Sequence, residues 1–64
     1  MTDRNVYFEL VTIGRFAKAT AIDAATGVEA SVVGPAEANV NVLKANALRK
    51  LQFVLNRQGR PGTK

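Results

Sequence analysis

Two strand-like runs separated by only Gly14-Arg15 constrain this chain more than any other feature. The first, from Val6 to Ile13, reads Val-Tyr-Phe-Glu-Leu-Val-Thr-Ile, rich in the β-branched and aromatic residues that suit a pleated surface. The second runs from Phe16 to Ile22. A two-residue connection makes a tight hairpin, and glycine at its first position suits a type II′ turn, which needs positive φ there. The register then follows, because side chains alternate faces with a period of two. Ile13 pairs with Phe16; counting back, Thr12 meets Ala17, Leu10 meets Ala19 and Phe8 meets Ala21, all on one face. The other face carries Tyr7, Glu9, Val11 and Ile13 opposite Phe16, Lys18, Thr20 and Ile22.

The next punctuation is Asp23-Ala24-Ala25-Thr26-Gly27, where Asp23 can cap its own turn and Gly27 can take a left-handed conformation. Strand three is then Val28 to Val33. A four-residue loop, 24–27, sets Ala30 opposite Ala21 and Val32 opposite Ala19; a five-residue loop would exchange the faces. The four-residue alternative gathers Phe8, Leu10, Ala17, Ala19, Ala21, Val28, Ala30 and Val32 on one side, with central alanines that let a helix lie close. After the breaker Gly34-Pro35, Asn39 is the expected N-cap of a helix over 40–57. Val40, Leu43, Ala47, Leu51 and Val54 fall on one helical face, flanked by Leu48 and Leu55. Val42, Asn46, Arg49 and Phe53 fall nearly opposite, so Phe53 is expected to be exposed. The reading is an α+β domain at 1–57, a three-stranded antiparallel meander of order 1-2-3 with one C-terminal helix on one face. Residues 58–64, with Gly59, Arg60, Pro61 and Gly62, read as a flexible basic tail.

At 64 residues such a domain buries only about 60% of the surface its unfolded chain exposes, and a core of this size seldom supplies more than about 3–5 kcal/mol. With no Cys and no His, disulfides and thiolate or imidazole metal sites are excluded. Regular packing or self-association must compensate, so a homo-oligomer is an expectation. No apolar run approaches the roughly 18 residues of a membrane span. Met1-Thr2-Asp3-Arg4 also lacks the layout of a signal peptide, so a cytoplasmic protein without a membrane partner is expected.

Nothing in the residues equips an active site. The single Ser, Ser31, lies in a strand, and no base is placed to activate it. Glu9 and Glu29 share a face on the two outer strands, which reads as a solvated pair rather than a catalytic one. The glycines form neither a dinucleotide fingerprint nor a P-loop. The chain is therefore expected not to be an enzyme, with no cofactor, no metal and no small-molecule substrate.

Two surface features point to partners. Tyr7, Val11, Ile13, Phe16 and Ile22, with Val33, give the outer sheet face more apolar area than a solvated face needs, and exposed Phe53 adds to it. A protein partner or a second copy is the first expectation. The alternative partner is nucleic acid, because residues 1–37 carry a net charge of −2 whereas residues 38–64 carry +6 and no acid. Arg49, Lys50, Arg57, Arg60 and Lys64 would make the contacts, unless those cations merely complement the helix dipole. Gly59-Arg60-Pro61 is similar to the core of an AT hook, although Gln58 stands where an Arg usually precedes that Gly.

Val6-Tyr7-Phe8-Glu9, Ala21-Ile22-Asp23-Ala24-Ala25-Thr26-Gly27, Val33-Gly34-Pro35 and Ala47-Leu48-Arg49-Lys50-Leu51 together resemble a family of short uncharacterised alphaproteobacterial proteins. The likeness covers nearly the whole chain except the tail. That resemblance implies a setting in phage-derived or gene-transfer-agent-like gene clusters, and with it a virion or packaging accessory role. It brings no established activity.

Overall fold

The computed structural model describes residues 5–58. Strands β1 (Val6–Ile13), β2 (Phe16–Asp23) and β3 (Glu29–Pro35) form one antiparallel sheet of order β1-β2-β3, followed by helix α1 (Val40–Gln58). Gly14 has φ +59°, and among the described residues none other than glycine has positive φ, so Arg15 stays on the negative side. That combination is the type II′ pattern, not type I′, and it sets Ile13 opposite Phe16, Leu10 opposite Ala19 and Phe8 opposite Ala21.

The second loop holds residues 24–27. The backbone N–H of Asp23 donates to the Val28 carbonyl at 2.9 Å, and Gly27 donates to the Asp23 carbonyl at 2.7 Å. One carboxylate oxygen of Asp23 accepts from the Thr26 hydroxyl at 2.7 Å and from the Thr26 N–H at 3.2 Å. Gly27, at φ +79°, turns the chain into β3, so Ala30 lies opposite Ala21 and Val32 opposite Ala19. Strand β3 runs on through Gly34-Pro35 instead of breaking at them. Pro35 pairs with Phe16 at the open edge of the sheet, where its nitrogen faces away from β2 and the missing N–H costs no ladder bond.

A short link leads into α1. Asn39 caps the helix: its side-chain oxygen accepts from the Asn41 N–H at 2.8 Å, and its carbonyl accepts from Val42 and Leu43 at 3.0 and 3.2 Å. The helix extends one residue past the expected end, through Gln58. The expected tail from Gly59 to Lys64, including the segment similar to an AT hook, lies outside the described residues.

The core is made almost wholly of small side chains. Ala17, Ala19, Ala21 and Ala30 form a floor beneath Leu43, Ala47 and Leu51, with Val6, Val28, Val32, Ala38 and Leu55 packed around them. The fully buried helical residues recur every four positions, a ridge one side chain wide. Val40, expected in this stripe, is exposed, and Val54 is half-buried. At Gly34 a Cβ would come within 2.8 Å of the end of the Leu43 side chain, so the glycine leaves the space that Leu43 occupies where the first helical turn lies over β3.

The helix crosses β2 and β3 but barely reaches β1. Phe8 and Leu10 share the helix-facing side, as expected, yet they remain 37% and 42% exposed and are not part of the core. The reason is tethering: a link of a few residues after the edge strand β3 keeps the helix above β3 and its immediate neighbour.

Two stability predictions follow from this packing. Ala47→Leu should lower stability by about 1–3 kcal/mol through overpacking, whereas Ala45→Leu on the exposed side should leave the urea midpoint nearly unchanged. Asn39→Ala should cost about 1 kcal/mol in the same titration, through loss of the cap.

Candidate interaction surface

Reading the registers across the sheet resolves the outer face into four rows. Ile13, Phe16 and Pro35 form the first; Val11, Lys18 and Val33 the second; Glu9, Thr20 and Ser31 the third; Tyr7, Ile22 and Glu29 the fourth. The apolar residues therefore form two groups separated by a polar row. In that row the Thr20 and Ser31 hydroxyls share a hydrogen bond of 2.8 Å, and Thr20 is buried.

Tyr7 and Phe16, both expected on this face, lie at opposite ends of it. Ile13, Phe16, Val11 and Val33 form one exposed apolar end. Tyr7 is exposed beside half-buried Ile22 at the other end. Phe53 is exposed on α1, apart from both groups, with the Arg57 guanidinium 5.5 Å from its ring centre.

Strand β1 differs from the other two in being exposed almost throughout. Only Val6 is half-buried; from Tyr7 to Ile13 every residue is exposed, on both faces. On the helix side, Val6 and Phe8 join Leu48, Leu51, Gln52 and Leu55 around a groove of about 290 Å³. The Lys44 ammonium lies 5.1 Å from the centre of the Phe8 ring and is the helix's charged reach toward β1.

The two edges of the sheet are unequal. The pair that closes a two-residue hairpin exchanges both backbone bonds, so Ile13, Val11, Glu9 and Tyr7 bond to β2. The backbone groups of Val6, Phe8, Leu10 and Thr12 consequently point outward. By the same alternation Glu29, Ser31, Val33 and Pro35 point outward from β3. That second edge is blunted, because the Lys50 ammonium donates to the Ser31 carbonyl at 2.9 Å and Pro35 offers no N–H. Strand β1 carries no Pro and no Lys, and Glu9 is its single charge.

The cations considered for nucleic acid diverge in space. Lys50 is held against β3 and Arg57 lies over Phe53, while Arg49 is exposed on the helix. Arg60 and Lys64 lie outside the described residues. Among the described residues there is no cluster of three acids able to hold a metal ion, and no helix long and apolar enough to cross a membrane.

Counting residues in the sequence missed Phe8 and Leu10 as surface. Face alternation shows which side of a sheet a residue occupies, but not whether a single helix is wide enough to cover all three strands. The brevity of the link after β3 was the available signal.

The Lys44 contact predicts a measurable coupling. In a double-mutant cycle of Lys44→Met and Phe8→Leu, thermal or urea unfolding should give an interaction energy of about 0.5–1 kcal/mol, which high salt does not abolish.

No curated protein and no solved structure matches this chain. Residues 3–58, which span all three strands and the helix, match the family described as Domain of unknown function (DUF6898), and the chain belongs to that family.

Proposed function

We propose that this chain is a non-enzymatic protein-interaction or structural module, and that it acts through strand β1. One observation carries the reading: the strand richest in large apolar residues is exposed on both faces and along an unblunted edge, while β2 buries Ala17, Ala19 and Ala21 and β3 buries Ala30 under the helix. An edge of this kind is a template for strand addition, in which backbone bonds give affinity and flanking side chains give selectivity. The chemistry around β1 supports binding over catalysis. The groove beside it is lined by aliphatic and aromatic side chains with one amide, Gln52, and offers no acid, base or nucleophile. A virion or packaging accessory role is compatible with such a module and rests on the sequence resemblance alone.

Nucleic-acid binding is the second reading, favoured by the +6 charge of residues 38–64. Against it, Lys44, Lys50 and Arg57 each engage a group of the domain itself, in three different directions. Phosphate contacts would make log affinity fall linearly with log salt, and a chain that binds no DNA or RNA at low salt would end this reading.

The interaction reading is tested with the immobilised chain in extract of the cells that make it. The wild type should retain a protein, either another copy or a different chain. A β1 variant carrying Leu10→Lys and Ile13→Lys should lose it with an unchanged circular dichroism spectrum, and Phe53→Ser should keep it. Retention of nothing, together with a strictly monomeric chain in light scattering, defeats the proposal.

A further inference from the structure

Strand β1 also indicates which protein it takes, an inference that rests on the reading of β1 as an interaction strand. We infer that the occupant is a second copy of this chain, paired antiparallel along β1 about a two-fold axis through Leu10. The first argument is the core. Its fully packed members are Ala17, Ala19, Ala21, Ala30 and Ala47 with only two leucines, and the chain has no cysteine or histidine with which to staple it. A partner that compensates for a thin core must be present whenever the chain folds, and another copy always is.

The second argument is that the edge is complementary to itself in one register. Outward backbone groups occur at Val6, Phe8, Leu10 and Thr12, so antiparallel self-pairing must join even-numbered residues. Three registers engage three or more of these positions, with the two-fold axis at Phe8, at Glu9 or at Leu10. An axis at Glu9 sets the two Glu9 carboxylates directly opposite, in the closer of the two kinds of cross-strand pair. An axis at Phe8 puts the two Phe8 rings side by side, and each carries a Lys44 ammonium 5.1 Å from its centre, so like charges meet above the rings.

An axis at Leu10 avoids both clashes. Leu10 meets Leu10 of the second copy on the helix side. On the outer side Tyr7 meets Ile13 of the second copy, twice by symmetry, which joins the two apolar groups that the polar row separates within one chain. Glu9 then falls opposite Val11 of the second copy, in a cross-strand row that continues to the second copy's Lys18. Growth stops at two copies, because the remaining β3 edges are blunted by Lys50 and Pro35.

The purified full chain tests this directly. Wild type should sediment as a dimer, and Leu10→Pro, which removes an outward N–H and no bond of the β1–β2 ladder, should sediment as a monomer with the same circular dichroism. Since the chain has no cysteine, Phe8→Cys, Glu9→Cys and Leu10→Cys each report one axis. A hydrogen-bonded pair places its Cα atoms about 5.5 Å apart, within disulfide reach. Mild oxidation should link Leu10→Cys several-fold faster than the other two. Fastest linking at position 8 or 9 overturns the register. A wild type that stays monomeric at every concentration overturns self-pairing; if it still retains a different protein from extract the interaction reading stands, and if it retains none both fall.

Discussion

The contact between α1 and a floor of alanines is the one on which the other features depend. A helix axis normally packs against a sheet at a distance set by the side chains between them. Here those side chains are methyl groups from Ala17, Ala19, Ala21 and Ala30 below and from Ala47 above, with Gly34 making room for Leu43. Close approach brings many atoms into van der Waals contact, but it leaves little apolar volume inside. The two largest apolar side chains in the core, Leu43 and Leu51, stand a little over two helical turns apart along a ridge one residue wide.

That geometry also fixes how much of the sheet one helix can cover. A narrow ridge seated on alanines, and tethered by a short link to β3, extends over β3 and β2 only. The residues that would widen the core, Phe8 and Leu10, are on the correct face but outside the core, Phe8 facing the helix across the groove and beneath the Lys44 side chain. The domain thus keeps its smallest side chains inside and several of its largest at or near the surface, along β1. The difference between the edges points the same way: Lys50 and Pro35 protect β3, whereas β1 shows neither device.

The polar interior is small and local. The Thr20 and Ser31 hydroxyls satisfy one another in the middle of the outer face, and Asp23 organises the second loop through Thr26, whose hydroxyl in turn accepts from the Val28 N–H at 3.1 Å. These bonds hold register more than they add stability, since a neutral hydrogen bond contributes roughly 1 kcal/mol net. Register is what matters here, because a slip by one residue would place Lys18 and Glu9 against the helix.

The sequence by itself determined the order of elements and the register of the first hairpin, and it favoured the four-residue second loop whose register the structure then decided. Gly14 and Gly27 are the positions where positive φ is required, Asn39 caps the helix, and a period of two carries every strand residue to its side of the sheet. These are local properties, set by turn stereochemistry and side-chain alternation over a few residues. Only the tertiary structure decided where along the sheet the helix rests and that Phe8 and Leu10 are surface. Lateral placement depends on link length, helix width and side-chain volume acting together across elements, and no window of the chain contains all three. The same reason hid the surface with the strongest case for function, an edge whose openness exists only in comparison with the blunted edge across the sheet.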